Sequence, residues 1–162
     1  KYLSLESTAA ATTSSTVWNN TAPTPSFVTL GTDASVNSSG NTFTIILFFE
    51  TDFLKALNAE GNSNADGSFV YYNGTPVFEL QKDADAATNW HITDSVRSPT
   101  NVVDKLVYAN LSNAEATFTM HDFMATGKKL RTSSAGFNVN TNVGFAFVDP
   151  ISKPKAAQGR AR

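Results

Sequence analysis

Hydrophobic and polar residues alternate along much of this chain with the two-residue period of a β-strand. The longest apolar run lies in residues 42–50 (TFTIILFFE), after a turn-like NSSGN sequence, and predicts a strand buried on both faces. Residues 143–148 (VGFAFV) alternate small and large side chains up to a Pro150 that should end strand pairing. Shorter runs predict further strands at residues 2–5, 26–30, 68–72, 77–82, 90–93, 105–109, 116–123 and 128–132.

Helical patterns are weak. Residues 52–59 place apolar side chains at Phe53, Leu54 and Leu57 after a capping residue, and predict a helix of at most two turns. Residues 112–116 predict one more turn. Short strands separated by Asn, Gly, Asp and Ser clusters predict an all-β fold with at most one or two short helices, either a sandwich or a barrel.

The length of 162 residues fits one domain. We expect a single β-sandwich domain over residues 1–150. A strand, a polar connection and an aromatic strand follow one another in both residues 27–50 and 129–149, which leaves open that residues 1–50 end a preceding repeat module. The chain begins at Lys1 rather than Met, so we expect a processed protein or a piece of a larger polypeptide.

Residues 151–162 are basic and contain little apolar surface, which predicts an extended C-terminal arm. Such an arm is either solvated or packed along a neighbouring subunit. The candidate assembly residues of the arm are Lys153, Lys155, Arg160 and Arg162.

Composition narrows the function classes. The chain has 20 Thr, 16 Ser and 15 Asn, only 16% charged residues, and 12 Phe within a hydrophobic content of 41%, which favours a folded β protein with many polar turns. A net charge of −2 argues against a nucleic-acid partner. The absence of cysteine excludes disulfides and thiolate chemistry. The longest apolar run is far shorter than the roughly 20 residues that a membrane helix needs, so we expect no membrane insertion.

Catalytic patterns are not favoured. His91 and His121 both fall in predicted strands, and the chain has no Gly-x-Ser-x-Gly nucleophile elbow. A glycosidase needs two carboxylates held across a sugar. Five acids lie at or near predicted strand positions: Glu50, Glu79, Asp94, Asp122 and Asp149. Their spacing does not favour a catalytic pair, because each is equally well explained as an exposed strand residue or as the partner in an ion pair. We expect no enzyme activity and no catalytic residue.

Candidate binding residues are few. Residues 62–67 and the pair Asp83 and Asp85 offer oxygen ligands for calcium, but they match no EF-hand loop and equally suit turns, so we expect no cofactor, with calcium as the weaker alternative. Trp18 and Tyr72 are the candidate glycan-stacking residues. Trp90 is expected to point inward, and Asp94 and Arg97 to form an ion pair that fixes a turn.

Several strings along the chain resemble one family. They are residues 62–71 (NSNADGSFVY), 89–99 (NWHITDSVRSP), 110–117 (NLSNAEAT), 122–131 (DFMATGKKLR) and 143–147 (VGFAF), preceded by residues 17–24 and 28–32. Together they look like a module of tail-fibre-like and other structural proteins of marine bacteriophages, described as a concanavalin-A/laminin-G-like domain of unassigned function. The chain departs from the family pattern at Thr75 and in residues 125–129.

The resemblance implies an all-β sandwich of two antiparallel sheets, of the jelly-roll or laminin-G-like type, and a structural role. We expect a non-enzymatic virion module on the surface of a phage particle, as a tail fibre or appendage domain or as a capsid decoration. Its expected partners are copies of itself, in a homo-oligomer, and other virion proteins. The alternative is a carbohydrate-binding module that recognises host surface glycans during host attachment.

Overall fold

The computed structural model of the chain describes residues 1–150. They form two four-residue helices, α1 (Ser15–Trp18) and α2 (Ala34–Asn37), and strands β1 (Leu54–Glu60), β2 (Phe69–Tyr71), β3 (Gly74–Asp83), β4 (His91–Asp94), β5 (Val103–Tyr108), β6 (Ala116–Met124), β7 (Gly127–Leu130) and β8 (Thr141–Pro150). All pairs between these strands are antiparallel. The prediction of an all-β antiparallel fold with only short helices is confirmed.

The strands follow the order β1-β8-β3-β4-β5-β6-β7-β2 in one sheet. The sheet curls so that its two edges approach each other: Leu57 and Ala59 of β1 pack in one apolar cluster with Val70 of β2 and the following Tyr72. The result is a nearly closed sheet, with β3 lying across its interior from β6 and β7.

The two faces of β3 have an unusual distribution of side chains. Glu79 and Gln81 face the interior and contact Lys128 of β7. Phe78 faces the opposite side, where its ring lies 6.2 Å from that of Phe145 on β8. Polar groups therefore occupy part of the interior, while an apolar surface faces outward.

Part of that outer apolar surface is covered by the N-terminal residues. Leu3, Leu5 and Phe48 line a groove of about 660 Å³ together with Leu80 and Trp90. Trp90 is buried as predicted, and its indole N–H donates to the Ser4 carbonyl at 2.9 Å. The Lys82 ammonium, fully buried on the same side, donates to the carbonyl oxygens of Thr8 and Thr88. These polar bonds attach the N-terminal residues to the sheet.

The prediction for residues 42–50 is wrong. The segment forms no strand, and most of its large apolar side chains are exposed, including Ile46 at 73%. Phe48 does contact the sheet, where its ring stacks on that of Phe145 with 4.8 Å between the ring centroids. The amino-acid pattern is that of a strand, but no strand of residues 1–150 pairs with it.

The helix predicted over residues 52–59 is also wrong, because Leu54–Glu60 is strand β1. Seven consecutive residues of β1 pair with β8, from Leu54 opposite Phe147 to Glu60 opposite Thr141. A long partner strand therefore outweighs a weak helical pattern. Residues 112–116 form no helical turn, residues 26–30 form no strand, and of residues 2–5 only Tyr2 makes a β-bridge, to Thr12.

The two segments of the suspected repeat differ in structure. Residues 129–149 contribute to β7 and β8, whereas residues 27–50 form α2 and irregular backbone. Among residues 1–150, no helix has the length and apolarity to cross a membrane. The candidate arm residues Lys153, Lys155, Arg160 and Arg162 lie outside the described residues.

Candidate functional site

The most concentrated group of chemically competent side chains lies inside the sheet. We name this group the polar cluster. It comprises Glu79 and Gln81 of β3, Lys128 of β7, Thr93 of β4 and His121 of β6. The Lys128 ammonium donates to Glu79 Oε1 at 2.6 Å and to Gln81 Oε1 at 2.5 Å. None of the five side chains is more than 1% exposed.

Tyr72 belongs to the wall of this cluster. Its hydroxyl donates to Glu79 Oε1 at 2.7 Å, and the residue is only 2% exposed. The prediction that Tyr72 is a glycan-stacking residue is therefore wrong, because its ring has no face open to a ligand. Burial, reinforced by the neighbouring Glu79 carboxylate, raises the pKa of Tyr72 far above its ordinary value.

Burial also governs the bases of the cluster. It lowers the pKa of Lys128, although the Glu79 carboxylate acts in the opposite direction. It lowers the pKa of His121 well below the ordinary value, with a contribution from the Lys128 charge. The interior thus favours a neutral His121 beside the Lys128–Glu79 pair.

The arrangement of Thr93, His121 and Glu79 contains the residue types of a hydrolytic triad but not its geometry. In a triad the two ring nitrogens of the histidine contact different partners, the nucleophile and the acid. Here His121 Nε2 faces both Thr93 Oγ1, at 3.4 Å, and Glu79 Oε2, at 3.9 Å. Among the described residues 1–150, no group forms a hydrogen bond with His121 Nδ1. The cluster therefore has the features of a structural ion-pair network.

Three of the other candidate carboxylates already have partners. Asp94 accepts the backbone N–H groups of Val96 and Arg97 at 3.0 and 2.8 Å and pairs with the Arg97 guanidinium, which confirms the predicted turn-fixing pair. Asp122 pairs with Arg131 at 2.6 Å. Glu50 accepts the Ala56 N–H at the edge of β1. Asp149 is exposed.

The candidate calcium loops use their oxygens internally. Asp83 Oδ1 accepts the N–H groups of Asp85 and Ala86, and its Oδ2 accepts from the Asn140 amide. In residues 62–67 the side chain of Asn62 bonds to Asn138, a fully buried residue that the sequence pattern did not single out. No group of three or more acidic or histidine residues within residues 1–150 is placed to hold a metal. The expectation of no cofactor, with calcium as the weaker alternative, is one that a calcium titration would test.

Two further surface grooves, separate from the one lined by Leu3 and Leu5, contain aromatic side chains and are open to a ligand. The first has a volume of about 600 Å³ and is lined by the half-buried Trp18 together with Pro23, Val28 and Leu47, so the candidate stacking residue does lie at an open groove. The second, of about 380 Å³, has aromatic walls formed by Tyr108, Phe118, Phe137 and His91. Sequence patterns missed the second groove because its walls come from three strands and a distant loop.

His91 forms part of the wall of the second groove. Its ring lies 4.2 Å from that of Phe137 and 5.5 Å from that of Tyr108. Burial, with the charges of Lys82 and Lys128, lowers the pKa of His91 from 6.5 to about 4. The imidazole is thus neutral at pH 7.

We expect acid to destabilise the fold through His91. Its folded-state pKa lies below the unfolded value, so the unfolded chain binds more protons between pH 6.5 and 4. His91 should not affect the free energy of unfolding above pH 6.5. As the pH drops through that window, the free energy of unfolding should fall by about 3 kcal/mol because of His91. Urea unfolding at several pH values measures this effect. His91→Phe should remove the His91 part of the loss and leave the part that comes from His121, whose pKa burial also lowers. An equally steep loss in His91→Phe would show that another group is responsible.

A family model covers nearly the whole chain. It is described as a domain of unknown function, DUF7483, and matches residues 1–149. The chain belongs to this family. The DUF7483 match includes both the N-terminal residues and all strands from β1 to nearly the end of β8. No curated protein and no solved structure matches the chain. The DUF7483 family carries no assigned activity, so function must be inferred from the geometry of the chain.

Proposed function

We propose that the chain is a non-enzymatic structural module of a phage virion, displayed on the particle surface as a tail fibre or appendage domain or as a capsid decoration. The observation that carries the proposal is that the chemically reactive side chains are buried while many large apolar side chains are exposed. The groups able to do chemistry, Glu79, Lys128 and His121, are sealed inside the sheet. Large apolar side chains are displayed outside, as in a protein that is completed by its neighbours.

Two further points support this proposal. The resemblance of residues 62–71, 89–99 and 122–131 to modules of marine phage structural proteins gives the virion setting. The way β3 faces β6 and β7 across the interior supports the finer assignment of a two-sheet laminin-G-like sandwich, with β5 joining the two halves. A buried Lys–Glu pair, in which Glu79 Oε1 accepts from Lys128 and from Tyr72, suits a role in which the chain stays folded rather than reacts.

The proposal is tested on purified particles. Quantitative mass spectrometry should find the chain at a fixed copy number per particle, and antibodies against the exposed turn around Val96 should label intact particles. Val96 is the right epitope because it is 86% exposed and lies away from the N-terminal residues in sequence. Particles that lack the chain after density-gradient purification would contradict the proposal.

A second candidate function, recognition of host glycans, is favoured by the grooves at Trp18 and at Tyr108 and Phe118. Flat rings in open grooves are the usual contacts for the apolar face of a sugar. In this case a glycan array should give hits that Trp18→Ala or Phe118→Ala abolishes, while the exposed Val96→Ala retains them. An array without hits would remove this candidate and leave the structural role unaffected.

A further inference from the structure

Residues 42–50 combine the strongest β-strand composition in the chain with a backbone that has no β partner. Within residues 1–150, none of their N–H or C=O groups takes part in a backbone–backbone hydrogen bond; the nearest such bonds are made by Asn41 and Thr51. A segment with the composition of a strand, whose backbone donors and acceptors are unpaired within residues 1–150, is a template for pairing with another chain.

The side chains of the segment point to the same conclusion. Six large apolar residues of the segment and the nearby Phe53 have exposed fractions between 41% and 73%; the six are Phe43, Ile45, Ile46, Leu47, Phe48 and Phe49. With about 150–250 Å² for a large aromatic side chain, they display roughly 700 Å² of accessible surface. A stable complex buries about 800 Å² on each partner, so this surface alone nearly meets the requirement.

Charge favours a second copy of the same chain as the occupant. Residues 42–49 carry no charge, so two copies can approach without repulsion. The only charged side chain of the segment, Glu50, is directed to the Ala56 N–H at 3.0 Å. A segment paired antiparallel with its own copy about a two-fold axis also satisfies the backbone of both chains, since an isologous contact is self-complementary.

We propose that residues 42–50 form the contact between two copies of this chain, as antiparallel strands paired across a two-fold axis at Ile46. The inference deepens the proposed structural role and rests on it only for the setting. In this pairing Phe48 keeps its stacking on Phe145, and Phe49 lies opposite Phe43 of the partner subunit. The assembly thereby completes the strand that the sequence predicts.

The first test measures mass in solution. Sedimentation velocity at about 50 µM should show the wild-type chain as a dimer or a multiple of it. Ile46→Lys should weaken association at least about 100-fold, because it places two like charges at the axis of a desolvated contact. Val96→Lys is the matched control, a similar change at an exposed aliphatic residue outside the segment, and should associate like wild type. Circular dichroism should show that both variants remain folded.

The second test fixes the register. The chain has no cysteine, so Ile46→Cys introduces a single thiol, which should form an intermolecular disulfide under mild oxidation. Val96→Cys should not. A monomeric wild-type chain, association unchanged by Ile46→Lys, or a dimer without the disulfide at position 46 would overturn the proposal.

Failure of this inference and failure of the proposed function give different results. A monomeric chain that is nevertheless present in particles removes the self-contact and keeps the virion role. A chain that pairs through residue 46 but is missing from particles keeps the self-contact and removes the virion role.

Discussion

Lys128→Met is expected to destabilise the fold by about 3–5 kcal/mol. The substitution removes the ammonium that contacts Glu79 and Gln81 and leaves the Glu79 carboxylate buried without its counter-charge. The lone carboxylate must then be protonated or hydrated at the expense of the native packing. Urea unfolding at pH 7 measures the loss.

The neighbouring Lys129 supplies a matched control. Its ammonium lies 2.8 Å from Asp66, whose side chain is 83% exposed, so Lys129→Met should cost less than about 1 kcal/mol. The double variant Glu79→Gln/Lys128→Met should be more stable than Lys128→Met alone, because it leaves no unpaired charge inside. If Lys128→Met is as mild as Lys129→Met, the polar cluster is not the sealed ion-pair network described above.

Gly144→Ala should cost about 2–4 kcal/mol. Gly144 has a φ of +153°, and a Cβ atom there would lie 1.9 Å from the Leu80 carbonyl oxygen of β3. Because the contact is with backbone, the substitution must separate β8 from β3, the longest strand pairing in the sheet. Thermal or urea unfolding measures the loss.

Gly40→Ala is the control for this substitution. Gly40 also has a positive φ, +81°, but a Cβ atom there would meet nothing within 4 Å. Gly40→Ala should therefore lower the free energy of unfolding only through the unfavourable left-handed backbone conformation, by about 1–2 kcal/mol at most. Equal losses in the two variants would mean that the close approach of β8 and β3 does not limit residue 144.

Sequence pattern predicted the strands from residue 69 onward because each has a neighbour along the sheet and shows β-branched or alternating composition. Residues 77–82, 116–123 and 143–148 all lie within observed strands. The errors fall on residues whose conformation depends on a partner. Residues 54–60 follow β8 rather than their local pattern, and residues 42–50 have the composition of a strand without a strand beside them.

The polar cluster could not be predicted from sequence. Glu79 is far from His121 and Lys128 along the chain, and β3, β6 and β7 each contain other polar residues, so nothing in the sequence marks these three side chains as facing one another. The same holds for Tyr72, whose position beside an Asn-Gly turn suggested exposure. Its burial is decided by the packing of Leu57, Ala146 and Val148 against it.

In the proposed assembly, the surface through which this protein acts is the exposed apolar segment, residues 42–50, rather than the buried polar interior. Hydrogen–deuterium exchange of the intact chain at high concentration separates these two alternatives. The amides of residues 42–50 should be protected in the wild-type chain and exchange at the rate of an unpaired backbone in Ile46→Lys, with the protection of β3 and β8 unchanged. Rapid exchange of residues 42–50 in both proteins would contradict this assignment.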